Sequence, residues 1–191
     1  IEGREPSCDF KHASELVEFI KQFDSKTGGT QFKVFGACYP ERHPESEDVM
    51  SDIQGLKAKV DAGATHLISQ LFFDNEKFYR FLERAKLAGI NVSIEAGIMP
   101  ATNKKSIERM VSLTNATLPP KFINMMERYG DSPEAIRDAG IAYAVDQIVD
   151  LVTNGVDGIH LYTMNNSYIA KRINEAVRSL FTVAPKDFVI K

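Results

Sequence analysis

The stretch Ile68-Ser-Gln70-Leu-Phe72-Phe-Asp74 decides the fold class of this chain, together with Tyr39-Pro-Glu-Arg-His43-Pro-Glu one strand earlier. Each contains the end of an apolar run suited to a buried strand, which for the first strand means burial on both faces, and each leads into a helical pattern. In a parallel α/β protein the carboxyl ends of the strands share one rim, where loops supply ligand-binding side chains. The two stretches therefore predict a binding site at that rim.

Strand-like and helix-like patterns alternate along the whole chain. The apolar runs predict strands over 32–39, 65–73, 92–99 and 157–164, with helical spacing between them and a helix over 12–23 before the first. Loops are richer on the strand-to-helix side, and neither G-x-G-x-x-G nor a P-loop occurs. We therefore predict an α/β fold of the (β/α)8 TIM-barrel type, with four parallel strands that make about the second half of a barrel.

The sequence divides into one domain and two short ends. Ile1-Glu-Gly-Arg4 matches a protease-cleavage tag, so residues 1–7 are predicted to be a tag or an irregular N-terminus. Residues 8–182 are predicted to form the partial barrel, and residues 183–191 a C-terminal tail.

Composition excludes several classes of function. The 191 residues carry a net charge of -3, and their lysines and arginines are scattered, which argues against nucleic acid as a partner. No apolar run reaches the ~18–20 residues that span a bilayer, so we expect no membrane segment. The two cysteines lack C-x-x-C spacing, which predicts neither a disulfide framework nor a zinc site. With no signal peptide visible, the cytoplasm is the expected location.

The second predicted strand carries the clearest candidate for ligand binding. Alternation along it puts His66, Ile68, Gln70 and Phe72 on one face. The Gln70 amide and the Phe72 ring could clamp a flat heteroaromatic ring by hydrogen bonding and stacking. The alternative is a buried glutamine bonded to neighbouring backbone.

Other polar residues lie near the same rim. Tyr39 and His43 flank the first rim turn, while Asp52 and Lys59 share one face of the next helix, where a lysine could meet a pyrophosphate. A capped loop and a solvated helix surface are the alternatives. Glu95 lies within an apolar strand and would face either a barrel interior or a lysine or arginine of a helix.

Five motifs occur in the order found in one family: Tyr39-Pro-Glu-x-His43-Pro-Glu, Asp61-Ala-Gly-Ala64, Ile68-Ser-Gln70-x-Phe72-Phe-Asp74, Gly97-Ile-Met-Pro100 and His160-Leu-Tyr-Thr163-Met-Asn165. From about residue 10 to about residue 180 the chain thereby resembles methylenetetrahydrofolate reductase. The resemblance implies a (β/α)8 barrel that holds FAD. It also implies that NADH or NADPH reduces the flavin, which then reduces 5,10-methylenetetrahydrofolate to 5-methyltetrahydrofolate.

The resemblance also implies roles for individual positions. The residues implied to contact FAD are His12, Ala13, Tyr39, His43, Asp52 and Lys59. Gln70 resembles the residue that hydrogen-bonds the pterin ring of the folate substrate, and we predict Phe72 as its neighbour in the substrate site. No catalytic and no metal-binding residue is predicted in this chain.

The chain departs from the family in several places. The family's first half, with the glutamate expected as general acid, has no counterpart in this sequence. Gly55 stands where many members have an asparagine near FAD, Met110 where some have a folate-stacking phenylalanine, and Asn166 where many have an arginine.

Two alternatives to a reductase therefore remain open. One is a non-catalytic FAD- and folate-binding subunit completed by a partner half-barrel. The other is an inactive fragment that self-associates through unpaired sheet edges.

Overall fold

The computed structural model describes residues 9–28, 32–114 and 116–183. Helices and strands alternate along these residues as predicted. The strands are β1 (Phe35–Cys38), β2 (His66–Ser69), β3 (Ser93–Ile98) and β4 (Gly158–Leu161). The helices are α1 (Ala13–Thr27), α2 (Val49–Asp61), α3 (Asn75–Leu87), α4 (Lys104–Thr114), α5 (Pro120–Tyr129), α6 (Pro133–Thr153) and α7 (Ser167–Val177), followed by a 3-10 turn over Arg178–Thr182. Residues 1–7, predicted as a tag or irregular start, and most of the predicted tail lie outside the described residues.

The four strands form one parallel sheet in the order β1–β2–β3–β4. Phe35 pairs with His66, and Glu95 pairs with both Ile68 and Gly158, so neighbouring strands share layers of side chains. Each strand is joined to the next by at least one helix, as parallel strands require. The predicted α/β fold with four parallel strands of the barrel type is confirmed.

Local sequence accounts for where the helices begin and end. Asp48 and Ser51 form a capping box at the start of α2, and the Ser132 hydroxyl caps α6, which begins at Pro133. Gly89 follows α3 with φ of 76°, the left-handed conformation that glycine adopts without steric cost. Helix ends are thus encoded by a few polar and glycine residues.

One face of the sheet is covered by helices and forms the core. Leu67, Ala96 and Ile98 have no exposed surface, and they pack with Phe78 of α3 and Ile148 of α6. Cys38 is 1% exposed in this core, where it packs as a small apolar residue. Burial of these apolar side chains is the main stabilising contribution to the fold.

The opposite face of the sheet carries no helix among the described residues. Phe35 is 50% exposed there, and its ring stacks on that of His66 at 4.6 Å between centroids. The prediction that the first strand is buried on both faces is therefore wrong. In a closed barrel this face would be the interior, and here it is open to solvent.

Glu95 lies on this open face. Its carboxylate is 3.7 Å from His160 Nδ1 on the neighbouring strand, and no lysine or arginine contact of Glu95 occurs among the described residues. Two environments were predicted for Glu95, a barrel interior or a lysine or arginine of a helix. The structure agrees with the first, because the open face would be the interior of a closed barrel.

Within the described ranges, no helix combines the length and apolarity needed to cross a membrane.

Candidate functional site

A cleft opens at the carboxyl end of β1, between the first turn of α1 and one side of α2. We call it the β1 cleft; its volume is about 510 Å³. All six residues that the resemblance implies as FAD contacts line it: His12, Ala13, Tyr39, His43, Asp52 and Lys59. The structure thus brings together residues that are spread over 48 positions of sequence, from 12 to 59.

The loop between β1 and α2 is held by its own hydrogen bonds. The guanidinium of Arg42 donates through Nη1 to the carbonyl oxygens of Ser46 and Glu47, both at 2.7 Å. Arg42 itself has φ of 98°, a conformation that costs energy in a residue with a side chain. A strained residue held by two charge-assisted bonds gives a loop of defined shape beside the cleft.

His43 presents a hydrogen-bond donor to the cleft. Its Nδ1 accepts from the backbone N–H of Glu45 at 3.1 Å, so the neutral ring carries its proton on Nε2. The ring packs edge-on against Tyr39, with 4.5 Å between centroids. This packing fixes the orientation of both side chains.

Lys59 crosses beneath the cleft and reaches the free edge of β1. Its ammonium donates to the carbonyl oxygen of Ala37 at 2.6 Å. The stem passes over Gly36, where an added Cβ would lie 2.8 Å from Lys59 Cδ, so glycine leaves the path open. Partial burial lowers the pKa of Lys59, an effect opposed by the neighbouring carboxylate of Asp52.

Asp52 faces the same cleft from the first turn of α2. Its Oδ1 accepts a hydrogen bond from the hydroxyl of Ser46 at 3.1 Å, which leaves the second carboxylate oxygen without a partner among the described residues. The β1 cleft therefore combines a cation, an N–H donor and a carboxylate. This set suits a ligand that carries phosphates and hydroxyls.

Cys38 also borders the β1 cleft but is not suited to chemistry. Burial raises the pKa of its thiol to about 12, so the reactive thiolate is not formed near neutral pH.

Gln70 lies just beyond the end of β2. Its backbone N–H donates to the carbonyl oxygen of Cys38 at 2.7 Å, and its side-chain Oε1 accepts from the N–H of Leu71 at 2.9 Å. The alternative prediction for Gln70, a side chain bonded to neighbouring backbone, is therefore met by this contact. It uses only the oxygen of the amide, because no hydrogen bond from Nε2 occurs among the described residues.

Phe72 does not lie at the rim with Gln70. Its side chain has no exposed surface, and its ring stacks on that of Phe78 at 4.9 Å in the helix-covered core. The predicted alternation fails because β2 ends at Ser69, so the period of two does not continue to position 72. A clamp made by Gln70 and Phe72 is not found in this structure.

Tyr162 is a rim residue that the sequence analysis named only within a motif. It follows β4, and its hydroxyl donates to the carbonyl oxygen of Ser69 at 2.9 Å. The ring passes over Gly97, whose added Cβ would lie 2.7 Å from Tyr162 Cε2. We call Ser69, Gln70, Gly97 and Tyr162 the Gln70 rim.

A smaller cleft of about 190 Å³ adjoins the Gln70 rim between β4 and α4. Met110 and Arg109 of α4 line it together with Tyr162. Asn166, one of the departures from the family, does not line it; its side chain accepts from the N–H of Ile169 at 3.3 Å and caps α7.

Among the described residues no group of three or more His, Cys, Asp and Glu side chains is placed to hold a metal ion.

Comparison with known proteins gives the same family as the motifs. The chain matches the family described as methylenetetrahydrofolate reductase over residues 2–178. The 5,10-methylenetetrahydrofolate reductase of Escherichia coli (strain K12) is 36% identical over 162 residues, which cover 85% of this chain and 53% of that protein. Methylenetetrahydrofolate reductase (NADH) 1 of Arabidopsis thaliana is 35% identical over 165 residues, covering 82% of this chain and 27% of that protein.

A solved structure gives a likeness in fold alone. It is described as an uncharacterized protein from Clostridium thermocellum that binds two copies of 5-methyl-5,6,7,8-tetrahydrofolic acid. It superposes with a TM-score of 0.57 at 17% identity, covering 80% of this chain and 55% of that one. The chain thus spans about half the length of this protein and of the bacterial relatives. Since the family match takes in nearly all of the described residues, the chain belongs to the methylenetetrahydrofolate reductase family.

Proposed function

We propose that this half-barrel is the FAD-binding part of a reductase that converts 5,10-methylenetetrahydrofolate to 5-methyltetrahydrofolate. The observation that carries the proposal is the β1 cleft, because six residues implied by the family pattern line one cavity. Bound FAD would supply the hydride transfer. NADH or NADPH is the proposed donor, and the name of the Arabidopsis relative includes NADH.

The fit of FAD to the β1 cleft rests on its chemistry. Lys59 and His43 would hold the diphosphate by charge and by the Nε2–H bond, while Asp52 would accept from hydroxyls of the ribose or ribityl chain. Gly55 also lines the cleft, and no atom lies within 4 Å of a Cβ added there, so the wall leaves room for a ligand. The Gln70 amide would bond the pterin ring of the folate.

The open face of the sheet supports a polypeptide partner. Phe19, Phe23, Phe32 and Phe35 line an apolar groove at the base of β1, and each is at least 50% exposed. Exposed aromatic surface of this kind marks an interaction site. Its occupant, in our proposal, is a complementary half-barrel, whether in the same polypeptide or another, which would also supply the general acid.

The helix count favours this complement over a second copy. In a barrel, the helix after each strand lies over the seam to the next strand. Here α1 precedes β1 and α7 follows β4, so two copies would bring an α1 and an α7 to each new seam. A complementary half-barrel of four strands and three connecting helices has no helix before its first strand or after its last. Each seam is then covered by one helix, α7 at one seam and α1 at the other. Self-association therefore ranks second.

Titration of the chain with FAD, followed by visible absorption, tests the cofactor proposal. The titration is done with the chain alone and together with the remaining half of the Escherichia coli relative. We expect Lys59→Met to weaken FAD binding at least tenfold, because it removes a cation from a phosphate site. Lys57→Met is the matched control, since Lys57 is on the same helix and pairs with Asp61.

Equal FAD affinity of the Lys59→Met and Lys57→Met proteins would refute the assignment of the β1 cleft. Sedimentation of the same samples tests the partner: a one-to-one complex supports the complementary half-barrel, and a homodimer that excludes it supports self-association. The cytoplasmic location remains a prediction, and a role in one-carbon and methionine metabolism is part of the proposal.

A further inference from the structure

We infer that Tyr162 is a positioning residue that orients the Gln70 amide for ligand binding. It does so by holding the Ser69 carbonyl out of the ladder between β2 and β3. The inference rests on the proposed function in so far as the ligand of Gln70 is a folate. Its structural part stands on the contacts of the Gln70 rim alone.

The ladder between β2 and β3 is interrupted at the rim. The paired residues end at Ile68 and Glu95. If the register continued, the carbonyl oxygen of Ser69 would accept from the N–H of Gly97. Instead, Gly97 N–H donates to the side-chain Oγ of Ser69 at 2.8 Å, so a hydroxyl takes the place of a main-chain acceptor.

The Ser69 carbonyl freed in this way is bonded by Tyr162. It lies over Gly97, because a Cβ added at that glycine would be 2.2 Å from it, and it accepts from the Tyr162 hydroxyl at 2.9 Å. Tyr162 reaches it from β4 by crossing the whole width of β3. Only glycine at position 97 leaves space for both the carbonyl and the ring.

The displaced peptide leads directly into Gln70. The Ser69 hydroxyl donates to the carbonyl oxygen of Gln70 at 3.0 Å, and Gln70 N–H is held by Cys38. Every main-chain polar group of Gln70 therefore has a partner, and its backbone is fixed on both sides.

The side chain of Gln70 follows from that backbone. Leu71 N–H can bond only an acceptor, so it selects Oε1 and turns Nε2 away. The amide then offers the two N–H donors of Nε2 to a ligand, while its oxygen already accepts from Leu71. Gln70 should thus recognise a ring carbonyl or an unprotonated ring nitrogen, both of which a pterin has.

Two variants separate positioning from general stability. Tyr162→Phe keeps the ring over Gly97 and removes only the hydroxyl. Tyr143→Phe is the matched control, because its hydroxyl also donates to a main-chain oxygen, that of Phe73 at 2.6 Å, but reaches it from α6 on the covered side. Both losses are of one neutral hydrogen bond.

The first measurement is hydrogen exchange of single amides by NMR, which needs no ligand. We expect Tyr162→Phe to speed exchange at Leu71 and Gly97 by about tenfold, the equivalent of one lost hydrogen bond, and to leave His66 unchanged. Tyr143→Phe should leave Leu71 and Gly97 as they are. Unchanged exchange at both amides in Tyr162→Phe would overturn the inference.

The second measurement is calorimetric titration with 5-methyltetrahydrofolate and, separately, with FAD. It is done with the chain alone and together with the remaining half of the Escherichia coli relative. Tyr162→Phe should weaken the folate about tenfold and leave FAD affinity unchanged. An equal loss for both ligands, or the same folate loss in Tyr143→Phe, would reduce Tyr162 to a general structural role. Failure of the unaltered protein to bind the folate would count against the proposed function, while the exchange data would still decide the positioning.

Discussion

The β1 cleft and the Gln70 rim lie at the same end of the sheet but are built differently. The cleft takes its polar side chains from the start of α1, the loop between β1 and α2, and α2 itself. The rim is made near the ends of β2, β3 and β4, and its shape depends on the Ser69 peptide, which is turned out of the β2–β3 ladder, and on Tyr162, which follows β4. The family resemblance grouped the residues of the cleft, whereas no motif or spacing in the sequence indicates the partners of Gln70.

The largest effect on the free energy of unfolding is expected at the glycine of the Gln70 rim. Gly97→Ala would put a Cβ against a main-chain oxygen that cannot move without breaking the Tyr162 bond. We expect a loss of about 3 kcal/mol in the free energy of unfolding, at the upper end for overpacked sites. Urea unfolding followed by circular dichroism measures it; a loss below about 1 kcal/mol would mean that the rim is not tightly packed.

The pH dependence of FAD binding should single out the β1 cleft. Burial lowers the pKa of Lys59 from 10.5, so its charge is lost at a lower pH than that of an exposed lysine. FAD affinity should fall by up to about tenfold as pH rises through that lowered pKa. Tyr39 does not add to the change, since burial raises the pKa of its hydroxyl. Lys59→Arg, which stays charged, should flatten the profile measured by FAD titration.

Stability should change with pH in the opposite direction. The folded chain holds the Lys59 proton less strongly than the unfolded chain does, so this residue's contribution to the free energy of unfolding rises with pH between its folded pKa and 10.5. Denaturant unfolding of the FAD-free protein and of Lys59→Met, compared over that range, would isolate this contribution. The quantity to follow is the free energy of unfolding of the unaltered protein minus that of Lys59→Met. If this quantity falls or stays constant with rising pH, the burial of Lys59 is contradicted.

Glu41 and Thr117 join the loop of the β1 cleft to the segment between α4 and α5. Glu41 Oε1 accepts from the N–H of Thr117 at 2.9 Å, and its other oxygen accepts from the Thr117 hydroxyl. A double-mutant cycle with Glu41→Gln and Thr117→Ala should give a coupling of about 1 kcal/mol, because the contact is charge-assisted but exposed. Glu45→Gln paired with Thr117→Ala is the control and should give no coupling.

The smallest effect is expected at the glycine of the β1 cleft. Gly55 is inside α2 with no atom within 4 Å of an added Cβ, so Gly55→Ala should stabilise the FAD-free protein by about 0.5–1 kcal/mol through helix propensity. Thermal unfolding under the same conditions as for Gly97→Ala makes the comparison direct. Destabilisation would show that α2 is constrained by contacts that the structure lacks.

Most of the fold was predictable because its signals are local. Polar caps such as Asp48 and Ser132, and apolar spacing such as that of Phe78 and Phe81, act within one or two turns of helix. The place of Phe72 was not predictable in this way. Strand β2 ends four residues earlier than its apolar run, since Ser69 leaves the ladder to meet Gly97 and Tyr162.

The sequence by itself determined the order of strands and helices, the family, and which side chains are available at the rim, because periodicity and motifs are properties of short segments. Only the tertiary structure decided that one face of the sheet carries no helix within the described ranges, that Glu95 meets His160, and that Tyr162 bonds Ser69 across β3. These features join residues up to 93 positions apart. Such contacts depend on how strands are placed side by side, and no local pattern in a single chain encodes that placement.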